Sequence, residues 1–107
     1  MRGSRTGRPI MALLDLLGRR WTLRVLWELR QGAPSFRALQ ARCHDMSSSV
    51  LSLRLTELRE AGIAAPGPDG GYALTREGRA LLDALAPLDR WAARWSERQR
   101  SRRHRTG

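Results

Sequence analysis

Apolar residues recur along the chain at helical spacing, and glycine, proline and serine interrupt them so as to predict five helices and one hairpin. Pro9 suits a first helical position, and Ile10, Leu13, Leu14 and Leu17 follow on one face until Gly18 closes the helix. Arg19 and Arg20 then sit at its negative end. A second helix starts at about Trp21, with Val25, Leu26 and Leu29 as its stripe and Trp27 to one side, and Gly32 and Pro34 end it. Ser35 is placed to cap a short third helix that buries Phe36, Ala38 and Leu39. His44, Asp45 and Met46 read as the turn out of it. Ser47 then caps a fourth helix, which runs to Ala61 and stops at Gly62.

The segment IAAPGPDGGYAL places two short apolar pieces around a Pro-Asp-Gly-Gly turn, a hairpin signal. Thr75 caps the last helix, with Glu77 in its favourable first turn. Leu81, Leu85, Leu88, Ala92 and Trp95 recur at 4-3-4-3 spacing, the seam of a helix that packs on a partner helix. Pro87 removes one backbone hydrogen bond and predicts a kink or break there. Residues 1–8 form an unpatterned basic arm expected to be mobile, residues 9–97 the folded domain, and residues 98–107 (RQRSRRHRTG) a cationic tail expected to be disordered.

Composition narrows the function. The chain has 107 residues, room for one core, and a formal charge of +10 from 20 basic against 10 acidic residues. A field of that sign implies an anionic partner, more often nucleic acid than a membrane surface. Every basic residue is arginine, which suits bidentate recognition of phosphate and guanine but also follows from the codon usage of a GC-rich genome. The charge is informative; the missing lysine is not. A single cysteine excludes an intramolecular disulfide and fits a reducing, cytoplasmic setting. The apolar run from Ile10 to Leu17 is short and contains Asp15, and no stretch approaches the roughly 20 residues that span a bilayer, so no membrane partner is expected. Cys43, His44 and His104 do not make a metal cage, and no nucleophile, base and oxyanion set assembles; neither cofactor nor enzymatic activity is expected.

Helix, short turn, helix and two-stranded hairpin is the layout of a winged helix-turn-helix, a mainly α fold. The residues carry a second likeness. LLGRRWTLRVLWELRQGAPSFRALQ resembles the opening of the HxlR-type transcriptional regulators, with Gly18, Arg20, Trp21, Gly32, Phe36 and Leu39 in step. MSSSVLSLRLTELREAGI resembles the recognition helix of that family at Ser47, Leu51, Arg54, Leu55, Leu58, Gly62 and Ile63. YALTREGRALL, with Pro87 and Trp91 after it, resembles the segment beyond the wing, so the likeness covers roughly residues 9–95. It implies a dimeric DNA-binding regulator whose first and last helices form the interface, here through Leu13, Leu17, Leu85, Leu88, Trp91 and Trp95. Two departures stand out. Many sensing members carry a cysteine before an N-terminal proline, where this chain has Arg8-Pro9, and family wings are usually longer and basic, whereas residues 64–73 contain no arginine and one aspartate. Sensing by that cysteine route is therefore closed to this chain, and deep insertion of the wing into a minor groove is not expected.

At about 100° per residue, Leu51, Leu55 and Leu58 turn one side of the fourth helix inward, while Ser49, Leu53, Thr56 and Glu60 point the other way and Ser48, Ser52 and Arg59 flank the buried stripe. Ser48, Ser49, Ser52, Leu53 and Thr56 are the candidate readers of base edges: short hydroxyls allow close approach, and an apolar Leu53 fits a thymine methyl. The alternative is that the serines only cap and solvate the helix. Candidate phosphate contacts are Arg37, on a helix that crosses the DNA backbone with anion-attracting amides, and Arg42, Arg54, Arg59 and Arg76. Arg54 has a competing use, an internal pair with Glu57 or Asp45. The tryptophans suit core and dimer contacts better than base stacking, and Cys43 suits a half-buried structural position better than a redox role. The expected function is a sequence-specific regulator acting as a homodimer on a near-palindromic stretch of double-stranded DNA, with a small-molecule effector left open. A non-specific, architectural nucleic-acid binder is the alternative, and a winged-helix interaction domain without DNA affinity a third reading.

Overall fold

A computed structural model describes residues 8–44 and 46–106; the arm expected at residues 1–8 falls almost wholly outside them, as do Asp45 and Gly107. Five helices and one hairpin occur in the order read from the sequence: α1 (Pro9–Leu17), α2 (Thr22–Glu28), α3 (Phe36–Arg42), α4 (Ser48–Glu60), β1 (Ala64–Pro66), β2 (Tyr72–Leu74) and α5 (Arg76–Thr106). The fold is a winged helix-turn-helix, mainly α with one antiparallel hairpin.

The caps account for most of the boundaries. Ser35 Oγ accepts from the Ala38 amide at 3.1 Å, Ser47 Oγ from the Val50 amide at 3.2 Å, and Thr75 Oγ1 from the Gly78 amide at 3.0 Å, each satisfying an otherwise orphaned donor. Gly62, at φ 78°, takes the left-handed step that ends α4. Where the sequence places the start of α2 at about Trp21, the helix begins one residue later. Trp21 itself is left-handed, at φ 76°, and makes the corner between α1 and α2.

The core lies between α2, α3, α4 and the hairpin. Leu26, Leu29, Leu39, Leu51, Leu55 and Leu58 are fully buried, each contributing about 1.5–3 kcal/mol of apolar transfer free energy. Cys43 and Met46 are buried with them and pin the α3–α4 turn from inside. The hairpin pairs Ala64 with Leu74, Ala65 with Ala73 and Pro66 with Tyr72, and the Tyr72 amide donates to the Pro34 carbonyl at 2.9 Å. A side chain at Gly71 would collide with the Ala33 and Pro34 carbonyls, so glycine is what lets the hairpin lie against the α2–α3 loop.

α5 differs from expectation twice. It runs through Pro87 as one helix, because the carbonyl that Pro87 leaves unbonded belongs to exposed Asp83 and can be hydrated. It also continues through Thr106, so residues 98–106 are helical rather than a disordered tail. Arginine carries no propensity penalty, cations near a helix C-terminus interact favourably with its dipole, and no breaker follows before Gly107. At 31 residues α5 is about 46 Å long, against a longest molecular dimension of 50 Å. The radius of gyration is 16.0 Å, where about 13 Å is usual for a compact chain of this length. Beyond Ala92 the helix therefore projects from the body.

Candidate nucleic-acid interface

α4 is held by its inner face and open on its outer one. Leu51, Leu55 and Leu58 fix its rotation, and a charged network fixes its lateral position. Arg54 Nη1 lies 2.7 Å from Glu57 Oε1, Arg54 Nε donates to the Arg20 carbonyl at 2.7 Å, and Arg19 Nη1 reaches Glu57 Oε2 at 2.6 Å. The Arg54 and Glu57 side chains keep only 16% and 15% of their surface exposed. The Arg54 guanidinium thus ties α4 to the α1–α2 turn through Nε and Nη1, the internal use that the sequence left open beside a phosphate contact.

The five candidate readers, Ser48, Ser49, Ser52, Leu53 and Thr56, are all exposed, and Leu53 keeps 51% of its surface. Their hydrogen-bonding capacities differ. Thr56 Oγ1 donates to the Ser52 carbonyl at 2.9 Å, so it offers outward only lone pairs and a methyl. Ser48 Oγ accepts from Gln40 Nε2 at 3.2 Å and keeps its own proton for a partner. Ser49 Oγ sits 3.4 Å from Ser47 Oγ, and Ser52 Oγ makes no hydrogen bond among the described residues. A hydroxyl-rich first two turns therefore retains both donors and acceptors, with an apolar Leu53 between them.

Among the remaining arginine candidates, Arg37, Arg59 and Arg76 are exposed and make no side-chain bond or ion pair among the described residues. Arg42 is exposed but partly committed: its Nη1 donates to the Glu28 carbonyl at 3.2 Å. Sequence reasoning missed the residues that hold the helix-turn-helix angle. Gln40 Nε2 donates to the Met46 carbonyl at 2.8 Å as well as to Ser48, linking α3 to the start of α4. Arg24 Nη2 donates to the Arg42 carbonyl at 2.9 Å and lies 3.4 Å from His44 Nε2, while its Nε pairs with Glu28 at 3.1 Å. No periodicity reports such side-chain-to-carbonyl bonds, so nothing in the sequence pattern marks these two residues.

The tryptophans are dispersed over two helices and a corner, and the thiol lies in the core. Arginines cover Trp21 and Trp27, and Trp91 and Trp95 stack on each other with centroids 5.9 Å apart, so the four do not form a row on which bases stack. Cys43 is fully buried rather than half-buried. Burial pushes its thiol up, the nearby Glu28 charge adds to that, and Arg24 opposes it. On the expected dimer surface, Leu17 is turned into the core and Leu13 and Leu85 pack against it, whereas Leu88 (59% exposed), Trp91 and Trp95 (46% each) lie open on α5. Ile10, Met11 and Leu14 are the exposed apolar residues of α1.

The family model for HxlR-like helix-turn-helix proteins matches residues 16–100, which spans α2 to α4, the hairpin and most of α5. This chain belongs to the HxlR-like helix-turn-helix family. The HTH-type transcriptional regulator YvaP of Bacillus subtilis is 32% identical to it over 88 residues, covering 77% of this chain and 82% of that one. Among solved structures, quinone-bound YodB from Bacillus subtilis superposes with a TM-score of 0.73 at 28% identity, covering 81% of this chain and 98% of that one. A transcriptional factor of the HxlR family from Thermoplasma volcanium superposes with a TM-score of 0.70 at 26% identity, covering 84% and 86%. The HxlR-like chain is thus a transcriptional regulator of a DNA-binding family whose named relatives are regulators and not enzymes. Among the described residues no helix is long and apolar enough to cross a membrane.

Proposed function

We propose that this HxlR-like regulator acts in the cytoplasm as a homodimer on a near-palindromic operator. α4 enters the major groove of each half-site, Ser48, Ser49, Ser52, Leu53 and Thr56 read base edges, and Arg37, Arg42, Arg59 and Arg76 contact phosphates. Two copies meet through the open stripe of Leu88, Trp91 and Trp95 on α5, joined by the apolar face of α1. The reading rests on one observation. α4 is locked on its inner side by leucines and the Arg54–Glu57 network, and from Ser48 to Thr56 its uncovered side carries small hydroxyls and one leucine, with charge only at Arg59 and Glu60 in its last turn. Charge alone would bind any duplex; a rigid, neutral, hydrogen-bonding face can discriminate.

The test is selection from a randomised duplex pool at two salt concentrations. An enriched two-fold-symmetric motif that persists at the higher salt supports the reading. One observation favours a second reading, a non-specific binder: five arginines and no acidic residue lie between residues 98 and 105. Under that reading nothing is enriched, affinity collapses steeply with salt, and removing residues 98–107 abolishes most binding.

A further inference from the structure

α2 and α5 leave a cleft between them, which Trp27 and Leu82 divide into two parts. One part, of about 230 Å³, is walled mainly by Leu23, Leu26, Leu85 and Ala92 and is apolar. The other, of about 450 Å³, gathers Arg30, Gln31, Arg79 and Asp83 beside Leu74. Trp27, 41% exposed, stands at the junction with the Arg30 guanidinium 4.1 Å from its ring centroid. Arg30 Nη1 donates to the Trp27 carbonyl at 3.1 Å, and its second amino group makes no hydrogen bond among the described residues, while the residue lines the cleft's polar part. Arg79 makes no side-chain hydrogen bond or ion pair among the described residues, even though Asp83 is one turn away on the same helix.

We propose that this cleft binds a small amphiphilic anion: a monocarboxylate with a flat apolar body. The body lies against Trp27, Leu82 and Leu85, and the carboxylate takes the guanidinium donors of Arg30 and Arg79. Three features favour this class over others. Planar guanidinium forks match a carboxylate in a bidentate way. The net charge of +10 draws anions toward the surface and repels cations. Asp89 lines the apolar part and disfavours a second negative charge on the body, while the two arginines outnumber Asp83 in the polar part, so the ligand carries its charge at one end. The space is of the order of small-molecule sites, which are about 300–1,000 Å³ and mostly apolar with a few convergent polar groups. Because α2 also packs against α4, a ligand wedged between α2 and α5 acts on the recognition helix through a single intervening helix. The inference thus deepens the regulator reading by naming an effector class, and depends on that reading only for its consequence.

The test uses the full chain without DNA and three probes of one shape: 2-naphthoate, the neutral 2-naphthamide and the cationic 2-naphthylmethylammonium, followed by calorimetry and tryptophan fluorescence. The expected result is one saturable naphthoate site per chain, at least about tenfold tighter than the amide and tighter still than the ammonium. Arg79→Gln, a change at an exposed position, removes most of that preference without moving the thermal midpoint. Ala92→Trp fills the apolar part and abolishes binding of naphthoate and amide alike. Equal affinity for the three probes, a preference that survives Arg79→Gln, or no saturable binding overturns the proposal; so does a second copy of the chain filling the cleft, seen as no naphthoate binding together with a smaller oligomer for Ala92→Trp. Operator selection is measured separately. Intact selection without naphthoate binding removes this inference alone, and naphthoate binding without selection removes the regulator reading alone.

Discussion

Arg54 offers the sharpest test of how α4 is held, because a phosphate contact and an internal tie predict opposite results. Substituting Arg54→Met keeps the packed aliphatic stem and deletes two bonds of 2.7 Å, to Glu57 and to the Arg20 carbonyl. An exposed pair contributes about 0–1 kcal/mol, and breaking a fully buried one costs about 3–5 kcal/mol. With about one-sixth of each side chain exposed, the Arg54–Glu57 pair lies between these limits, and a loss of about 2 kcal/mol is expected. For a domain of this size that is a fall of roughly 8–15 °C in the unfolding midpoint. Glu57→Gln should cost about as much, since it strands Arg54 beside Arg19. The double variant should cost less than the sum by about 1–2 kcal/mol, the signature of two groups that interact directly. The assay is thermal and urea unfolding of the four proteins at one concentration, because association makes the midpoint depend on concentration. The reasoning fails if Arg54→Met unfolds within about two degrees of the parent while its DNA affinity falls equally on all sequences and its salt slope drops by about one. That combination belongs to a phosphate contact.

Other expectations follow from the same surfaces. Ser49→Ala and Leu53→Ala lie on the exposed face of α4, so stability should stay within about 0.5 kcal/mol while preference at one or two base positions shifts; equal weakening on every sequence would refute the readout assignment. Trp91→Asp on the open stripe of α5 should convert a dimer to monomer in sedimentation equilibrium with the domain still folded, and a parent protein already monomeric at high micromolar concentration would sink the proposed interface. Cys43, buried and with its thiol pKa raised, should react with iodoacetamide at neutral pH no faster than the protein unfolds. Because the folded thiol holds its proton more tightly than the unfolded one, its stabilising effect is complete below the unfolded pKa. That effect is lost as pH rises through the higher folded value, so any contribution to the unfolding midpoint should vanish only at alkaline pH. Rapid labelling of the folded protein would overturn this.

The elements were legible where local chemistry decides them. Ser35, Ser47 and Thr75 cap as their spacing predicts, and Gly62 takes the left-handed step expected of it. The leucine stripe of α4 was enough to say which of its residues face out. Interactions across elements were not legible. Leu17 and Leu14 share the apolar face of α1, and only the packing of α1 on α2 decides that Leu17 enters the core while Leu14 stays exposed. Arg54 at the edge of the α4 stripe had two chemically sound uses, and the choice rests on where the Arg20 carbonyl falls in space. The tail was misjudged for a different reason: polarity and charge argue against a core but not against extending a helix already nucleated upstream.

Thr75 joins more of the molecule than its size suggests. Its hydroxyl donates to the Gly62 carbonyl at 2.6 Å, and its amide donates to the Ile63 carbonyl at 3.0 Å, so the end of α4 is clamped to the start of α5 by one residue. A side chain at Gly78, one turn into α5, would strike the Ile63 carbonyl, which keeps the junction closed. In a dimer joined through α5, this clamp turns the protein into a caliper whose two jaws are the α4 helices. Inserting or deleting one base pair between half-sites changes their separation by about 3.4 Å and rotates one about 34° around the duplex. In the proposed dimer a stiff Thr75 junction would reject both changes together, so operator spacing would be read by the rigidity of a three-residue corner outside the proposed reading face.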